Sequence, residues 1–312
     1  MTRPHSPWRS LGRLVLTACT TLVVAPSHSA PPAGFTLESW PGDWSEVCGI
    51  VPVGDGRFVA WGKAGVAWMV GADGIASTEP LLDISEEVGG WREHGLLSVV
   101  LDPDYLDNGH IYLLYAVDRH HLLFHGTKNY DPAADWYNAA TIGRITRYTA
   151  TAESDRSVID PSTRHILLGE SITTGLPILH QSHALGTLMI GDDGTLLCSM
   201  GDSGEYGLVD TGGEVPGGWV GMGLQDGIIG PRQDVGAYRA QLIDSLCGKV
   251  LRLDPETGNG VPSNPWFDAG QPRSPRSRVW ATGLRNAYRM SLVRGTGSTN
   301  PAAADPGMIV YG

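Results

Sequence analysis

Histidines are the side chains of this sequence best suited to proton transfer or metal binding, and several fall in two local groups. His120, His121 and His125 form one group, and His180 and His183 form the other. An imidazole acts as a base near neutral pH and also binds transition metals. No carboxylate stands at a metal-site spacing in the first group, so we expect a solvated loop there. A histidine before a buried strand, as in the second group, is more often a hydrogen-bonded structural group.

The cysteines offer no comparable chemistry. Cys48, Cys198 and Cys247 follow the N-terminal region without the paired Cys or Cys/His spacing that holds zinc. At most one disulfide can form among three thiols. Because Cys198 and Cys247 lie in apolar, strand-like stretches, we expect both to be small buried hydrophobic residues.

The N-terminus predicts export. Arginines precede an apolar run at residues 14–25, and small or polar residues follow at 26–30, which is the order of a secretory signal peptide. The run is too short to span a bilayer, and we predict a signal peptide at 1–30 and one domain at 31–312, in the periplasm or outside the cell. Residues 16–19 resemble a lipobox, so a lipoprotein attached through Cys19 is the less favoured alternative.

Composition favours many short strands. The chain has 42 Gly, 21 Pro and 18% charged residues, which suits a turn-rich β protein better than a helical bundle. Its net charge is -11, from 33 acidic and 22 basic residues, without a basic stripe. Binding to a nucleic-acid backbone is therefore disfavoured.

A repeated turn-and-strand unit organises the chain. It recurs at residues 53–62, 101–115, 190–201 and 305–312, where a turn rich in Asp, Asn and Gly precedes an apolar run. Such turns join antiparallel strands. The apolar residues are consecutive, which indicates burial on both faces of each sheet. Sheets covered on both faces favour an all-β fold with radial stacking, a β-propeller, over the alternative of a β-sandwich.

Two long connections interrupt the repeat. Residues 118–141 and 207–236 lack strand alternation and flank predicted strands at 144–148 and 249–253. Connections of this length usually lie at a functional face. The sequence ends inside an apolar run, and a propeller closes by pairing its last blade with its first. We therefore expect a propeller truncated at the C-terminus.

Four motifs go beyond the repeat, and together they resemble the soluble glucose/sorbosone dehydrogenase family over residues 35–312. Each motif alone is a weak signal, but the family order of all four makes the resemblance specific. The motifs lie at residues 93–97 with 102–105, 183–188 with 200–202, 246–254 with 263–266, and 280–286.

The resemblance implies a six-bladed propeller, of which this chain covers about four blades, that binds pyrroloquinoline quinone and Ca²⁺ and oxidises sugars or related alcohols. By position, His183 matches the family's catalytic base and Asp202 the carboxylate that orients it. Arg285 would stabilise charge on the quinone, and Arg285 with Asn286 would contact it. Glu93 stands where the family often has a glutamine near the cofactor. The metal ligands cannot be assigned from these motifs.

The chemistry requires such residues, because a base must take the hydroxyl proton while hydride passes to the cofactor. Asp202 as a turn residue and Arg285 as a structural arginine are the simpler alternatives. For the whole chain, one alternative is a non-catalytic propeller that binds a protein or a glycan, as relatives resembling hedgehog-interacting proteins do. The others are a fragment unable to bind cofactor and, least favoured, a calcium-dependent lactonase-like hydrolase. The sequence identifies neither the substrate nor the electron acceptor.

Overall fold

The computed structural model describes residues 30–42, 44 and 46–312, and Trp40–Gly312 form one compact unit. The predicted signal peptide, including Cys19, lies outside the described residues except for Ala30, so it stays a prediction. Among the described residues, no helix has both the length and the apolar character needed to cross a membrane.

Short strands make up most of the regular structure. The strands are β1 (Val47–Pro52), β2 (Phe58–Gly62), β3 (Val66–Val70), β4 (Leu82–Asp83), β5 (Leu96–Leu101), β6 (His110–Ala116), β7 (Thr141–Ala150), β8 (Ile159–Leu168), β9 (Leu176–Ile178), β10 (Leu185–Ile190), β11 (Leu196–Met200), β12 (Lys249–Leu253), β13 (Val279–Thr282), β14 (Met290–Val293) and β15 (Met308–Tyr311). The helices are α1 (Tyr105–Asn108), α2 (Arg119–Phe124), α3 (Val220–Gln225) and α4 (Pro275–Arg278), with 3₁₀ turns at Pro231–Gln233, Gly236–Gln241 and Pro301–Ala303.

The strands form four antiparallel sheets in chain order. The first sheet is β1-β2-β3-β4, the second is β5-β6-β7-β8 with β9 beside β7, the third is β10-β11-β12-β13, and the fourth is β14-β15. The first strands of successive sheets lie side by side, β1 against β5, β5 against β10 and β10 against β14. This radial order confirms the predicted all-β propeller, while the family's six-blade count stays a prediction.

The repeated turns work as the sequence predicts. Between β1 and β2, the N–H of Arg57 donates to Asp55 Oδ1 at 3.0 Å, and Gly56 has a φ of +97°. Between β10 and β11, the N–H of Thr195 donates to Asp193 Oδ1 at 3.0 Å. An aspartate that binds its own backbone fixes each turn, and a glycine supplies the left-handed conformation.

Burial on both faces is confirmed for the first three repeat units. It is wrong for the fourth, because β15 pairs only with β14 among the described strands and is mostly exposed. Every residue of β11 and β12 is buried, and β6 is buried after its first residue. Hydrophobic clusters fill the spaces between the first and second sheets, the second and third, and the third and fourth. Cys198 and Cys247 are buried and unpaired, as expected, and Cys48 is half-buried and unpaired. Burial raises the pKa of all three thiols.

The long connections contain short helices rather than strands, in agreement with their lack of alternation. The expected solvated loop around His120 is wrong. His120 lies in α2 and is 6% exposed, with its ring 5.2 Å from that of Trp136 and 5.0 Å from that of Phe124. The side chain of Asp118 accepts the N–H groups of His120 and His121 and so starts the helix.

Candidate active site at one edge of the third sheet

The three predicted catalytic residues are brought together by the register of the third sheet. His183 precedes β10, Asp202 follows β11 and Arg285 follows β13. Because neighbouring strands are antiparallel, the beginning of β10 and the ends of β11 and β13 lie at one edge. The register along this edge pairs Leu185 with Met200, Met200 with Lys249, and Lys249 with Thr282.

The backbone fixes these segments against one another. The N–H of Ser203 donates to the carbonyl of His183 at 2.8 Å, and the N–H of Asp202 donates to that of Arg285 at 2.8 Å. His183 and Ser203 both have a φ of +55°, which non-glycine residues adopt only at a cost. A Cβ at Gly201 would lie 2.3 Å from the His183 carbonyl oxygen, so a side chain there cannot be accommodated.

Asp202 connects the other two side chains. Its Oδ1 lies 3.2 Å from His183 Nδ1, and its Oδ2 accepts from Arg285 Nη1 at 2.9 Å. Oδ1 also accepts the N–H of Gly204 at 2.9 Å. Asp202 therefore forms the turn contact and also orients the histidine. It is buried, with 1% of its surface exposed. The burial of the carboxylate reduces the screening of its contacts from the Asp202 side.

The contact with Asp202 determines which nitrogen of His183 is available. A carboxylate oxygen only accepts, so Nδ1 carries the proton, and in the neutral imidazole Nε2 carries the free lone pair. The His183 side chain is 12% exposed and that of Arg285 is 47% exposed. Arg285 Nη2 donates to the carbonyl of Glu205 at 2.8 Å. A base and a cation thus stand on either side of one buried carboxylate.

His180 differs from His183 in this respect. Its Nδ1 lies 3.0 Å from Ser182 Oγ and its Nε2 lies 3.0 Å from the carbonyl oxygen of Pro216. It is 1% exposed. With both ring nitrogens occupied, His180 is a structural group.

Glu93 contacts the backbone of the site. Its Oε2 accepts the N–H of His183 at 3.0 Å, and the residue is exposed. A glutamine oxygen can accept the same hydrogen bond. Glutamate in place of the family's glutamine therefore keeps this contact with the His183 backbone and adds a charge. Asn286 is half-buried beside Arg285.

Two buried cations that the sequence analysis missed support the loop that carries Asp202. Arg239 is fully buried and donates to the carbonyls of Asp202 at 3.2 Å and Ser203 at 2.8 Å. Lys249 Nζ donates to the carbonyls of Arg239, Ala240 and Cys247, and burial lowers its pKa to about 8. A lysine at the start of a strand that is buried throughout was the available signal for Lys249. Arg239 lies just after a long connection and gave none.

An aromatic cluster lies next to Glu93 in the chain. The Trp91 ring lies 5.9 Å from that of His94 and is stacked at 6.2 Å on that of Tyr137. Trp219 lies 6.3 Å from His94. His94 Nε2 lies 3.2 Å from the His180 carbonyl oxygen, and burial lowers the pKa of His94 to about 4. His94 is therefore neutral at physiological pH and serves as part of an apolar wall.

A cavity of about 450 Å³ opens beside the charged residues. Asp202, Asp210, Tyr238 and Arg285 line it, together with Leu208. Its size suits a small polar ligand in contact with the exposed part of Arg285. The cavity thus adjoins the buried carboxylate and the cation, and His183 is not among the residues that line it.

Comparison with known proteins identifies a family, similar sequences and similar folds. The model of the Glucose / Sorbosone dehydrogenase family matches residues 45–299. The mouse Hedgehog-interacting protein is 28% identical over 254 residues, which are 77% of this chain and 29% of that protein. The HIPL1 protein of Arabidopsis thaliana is 25% identical over 301 residues, which are 84% of this chain and 38% of that protein.

Solved structures share the fold. The PQQ-bound aldose sugar dehydrogenase from Streptomyces coelicolor aligns with a TM-score of 0.51 at 22% identity, covering 82% of this chain and 57% of that one. The chain spans about a third of the length of the curated relatives and just over half of this structural neighbour. The family match covers most of the compact unit and includes every candidate site residue, and the chain belongs to the Glucose / Sorbosone dehydrogenase family.

Proposed function

We propose that this protein oxidises a sugar or a related alcohol, with His183 as the general base. The observation that carries the proposal is the buried carboxylate of Asp202, which contacts His183 through one oxygen and Arg285 through the other. Base, orienting carboxylate and cation are the groups that removal of a proton and a hydride from a hydroxyl-bearing carbon requires.

The proposed proton transfer follows from the tautomer of His183. Nε2 accepts the hydroxyl proton, and the imidazolium that forms is stabilised by Asp202 through Nδ1–H. The C–H bond breaks as the carbonyl forms, and the substrate loses one proton and one hydride. Arg285 provides positive charge where negative charge grows on the hydride acceptor.

The exposed part of Arg285 supports an anionic quinone as that acceptor. The side chain of Arg285 is 47% exposed, so its guanidinium can contact a ligand while Nη1 remains on Asp202. Arg285 and Asn286 would hold pyrroloquinoline quinone, which accepts hydride when bound. Trp91 offers a half-buried aromatic face near Glu93.

Calcium has weaker support. Calcium takes oxygen ligands, and the only group of three close acidic, histidine or cysteine side chains within the described residues contains two histidines. Calcium therefore stays an expectation from the family.

Reconstitution tests the proposal. The chain, and any longer polypeptide that carries it, is loaded with pyrroloquinoline quinone and Ca²⁺, and dye reduction is measured with a panel of aldoses and polyols. We expect His183→Ala to lower kcat by about 100-fold to 10,000-fold, the usual contribution of a general base, with quinone binding unchanged. His165→Ala, which changes an exposed histidine of β8, is the matched control. Absence of both quinone binding and dye reduction from all these preparations would falsify the proposal.

A second candidate function is binding of a protein or glycan without catalysis. Trp136 and Tyr137 are 44% and 42% exposed on one long connection, and Tyr206 is 61% exposed on the loop after Asp202. Exposed aromatic side chains are typical of binding surfaces, and two relatives are named for interaction with Hedgehog. Binding to a glycan panel that is lost in Trp136→Ala and kept in His183→Ala is expected for this function.

We also propose that the chain is exported. The N-terminal arginines, apolar run and small residues support this. N-terminal sequencing of protein recovered from the periplasm or medium should begin near residue 31, whereas cytoplasmic protein that retains residues 1–30 contradicts export.

A further inference from the structure

A second cluster of ionisable side chains lies apart from the His183 site and shares no residue with it. Glu86, His121 and His125 each offer one metal-binding atom, and these atoms lie within 4.8 Å of one another. Glu86 lies between β4 and β5, and the histidines belong to the segment of α2. The carboxylate that the sequence around the histidines lacks is therefore supplied by the fold.

His121 lies in α2, and His125 is the residue that caps the C-terminus of that helix. His121 and His125 are one helical turn apart, because the N–H of His125 donates to the carbonyl of His121 at 3.0 Å. Their rings are stacked, with centroids 4.3 Å apart and planes 17° apart. Histidines at this spacing can bind one metal ion, as in helical zinc sites. Here the exposed His125 ring must rotate out of the stack so that both nitrogens face the ion.

Tyr130 determines which His121 nitrogen is free. Its hydroxyl donates its single proton to Glu86 Oε1 at 2.7 Å, so it must accept from His121 Nδ1, 3.0 Å away. Nε2 of His121 then has the lone pair. Metal-binding histidines usually have their second nitrogen held by such a hydrogen bond.

The neighbouring His120 does not belong to this cluster. Its Nε2 accepts the N–H of Asp131 at 2.9 Å, and its ring is stacked on Tyr130. The sequence shows three histidines close together, but the structure selects two of them.

We propose that Glu86, His121 and His125 bind a divalent transition-metal ion of the zinc class, with solvent as the fourth ligand. Two imidazoles and one carboxylate suit Zn²⁺ and not Ca²⁺ or Mg²⁺, which take oxygen ligands. Zinc needs ligand atoms about 2.0–2.2 Å from the ion. Glu86 and His125 are exposed, so their side chains can close on it. The bound ion connects α2 to the segment before β5, and Tyr130 is a positioning residue.

Metal titration of the full chain tests this inference. The protein is treated with EDTA, and the EDTA is then removed. Zn²⁺ is titrated into the protein in competition with a chromophoric chelator, with excess Mg²⁺ and Ca²⁺ present throughout. We expect one high-affinity equivalent, and we expect Co²⁺ to give the visible absorption of a four-coordinate site. The double variant His121→Ala/His125→Ala should lose at least about 100-fold in affinity. His165→Ala, an exposed histidine outside the cluster, should bind like the unaltered protein.

Two further variants keep the test decisive. His125→Ala changes only an exposed residue at the end of α2, so a folding failure in the double variant does not remove the readout. Tyr130→Phe removes the hydroxyl alone and should weaken Zn²⁺ binding about 10-fold to 100-fold, while the thermal midpoint of the metal-free protein changes little. A high-affinity equivalent that survives in both histidine variants, or displacement of Zn²⁺ by Ca²⁺, overturns the proposal.

Discussion

Asp118 and Asp202 occupy the same position in successive sheets but have different partners. Each is the second residue after the second strand of its sheet, since β6 ends at Ala116 and β11 ends at Met200. Asp118 accepts only backbone N–H groups, from His120, His121 and Trp136. Asp202 accepts one backbone N–H and also contacts His183 and Arg285.

The difference shows how a repeat gives rise to a single site. Both carboxylates are buried, at 2% exposure for Asp118 and 1% for Asp202. A backbone N–H cannot take up or release a proton, so Asp118 can only stabilise structure. A histidine and an arginine can move or neutralise charge, so Asp202 can take part in chemistry.

Among the replacements that test this comparison, the replacement of Asp202 should have the largest effect. We expect Asp202→Asn to lower turnover by about 1,000-fold to 10,000-fold, because an amide no longer fixes the His183 tautomer or stabilises the imidazolium. Dye reduction by the reconstituted protein measures the loss. Nitrogen-15 chemical shifts of the His183 ring should show a shift of the proton from Nδ1 to Nε2. Turnover and tautomer both unchanged from those of the unaltered protein would remove Asp202 from the mechanism.

Glu87 is a third buried carboxylate, which lies between cations but contacts no histidine. Glu87 accepts from Arg164 at 2.6 Å and from the Tyr115 hydroxyl at 2.7 Å, and it also pairs with Arg144. With no histidine in this network, we expect Glu87→Gln to destabilise the fold by about 3–5 kcal/mol, because it leaves the buried Arg144 uncompensated. Urea unfolding measures this, with exposed Glu153→Gln as control.

The free energies of unfolding of the unaltered protein and of Glu87→Gln should depend differently on pH. Burial alone would raise the pKa of Glu87, but Arg144 and Arg164 outweigh it and hold the pKa below its usual value. A carboxylate with a depressed folded-state pKa contributes stability above its unfolded-state pKa and loses it as the pH falls through its folded-state pKa. The stability gap between the unaltered protein and Glu87→Gln should therefore narrow on acidification. A gap that is constant down to strongly acidic pH contradicts this explanation.

Replacing Asp118 should have the smallest effect. Asp118→Ala removes the cap of α2, and we expect a loss of about 0.5–2 kcal/mol, measured by urea unfolding, with turnover within about twofold of the unaltered protein. Asp107→Ala, at an exposed position, serves as the control. A large loss of turnover in Asp118→Ala, with the fold intact, would mean that Asp118 takes part in the chemistry. It would contradict the proposal that Asp118 is structural and only Asp202 is catalytic.

Local interactions explain which parts of the fold were predictable. The turns at Asp55 and Asp193 depend on hydrogen bonds over two residues, and the largely apolar run of β11 needs only burial on both faces. Such features can be found in a short window of sequence. The third sheet's register then follows from consecutive antiparallel strands.

The site was predictable only in part. His183, Asp202 and Arg285 were identified through family motifs, since their separation along the chain gives no geometric signal. Arg239 was missed because it acts through main-chain carbonyls of a distant loop. His120 was misassigned because the aromatic residues that bury it come from the rest of its connection.

The sequence by itself determined the strand units, their turns and their burial on two faces, because these depend on neighbours a few residues apart. Only the tertiary structure decided that Asp202 contacts two ionisable side chains while Asp118 contacts none, and that Glu86 lies beside His121 and His125. These contacts join residues far apart in the chain, and their geometry depends on how the sheets and connections pack. Their chemistry is therefore a property of the packed fold.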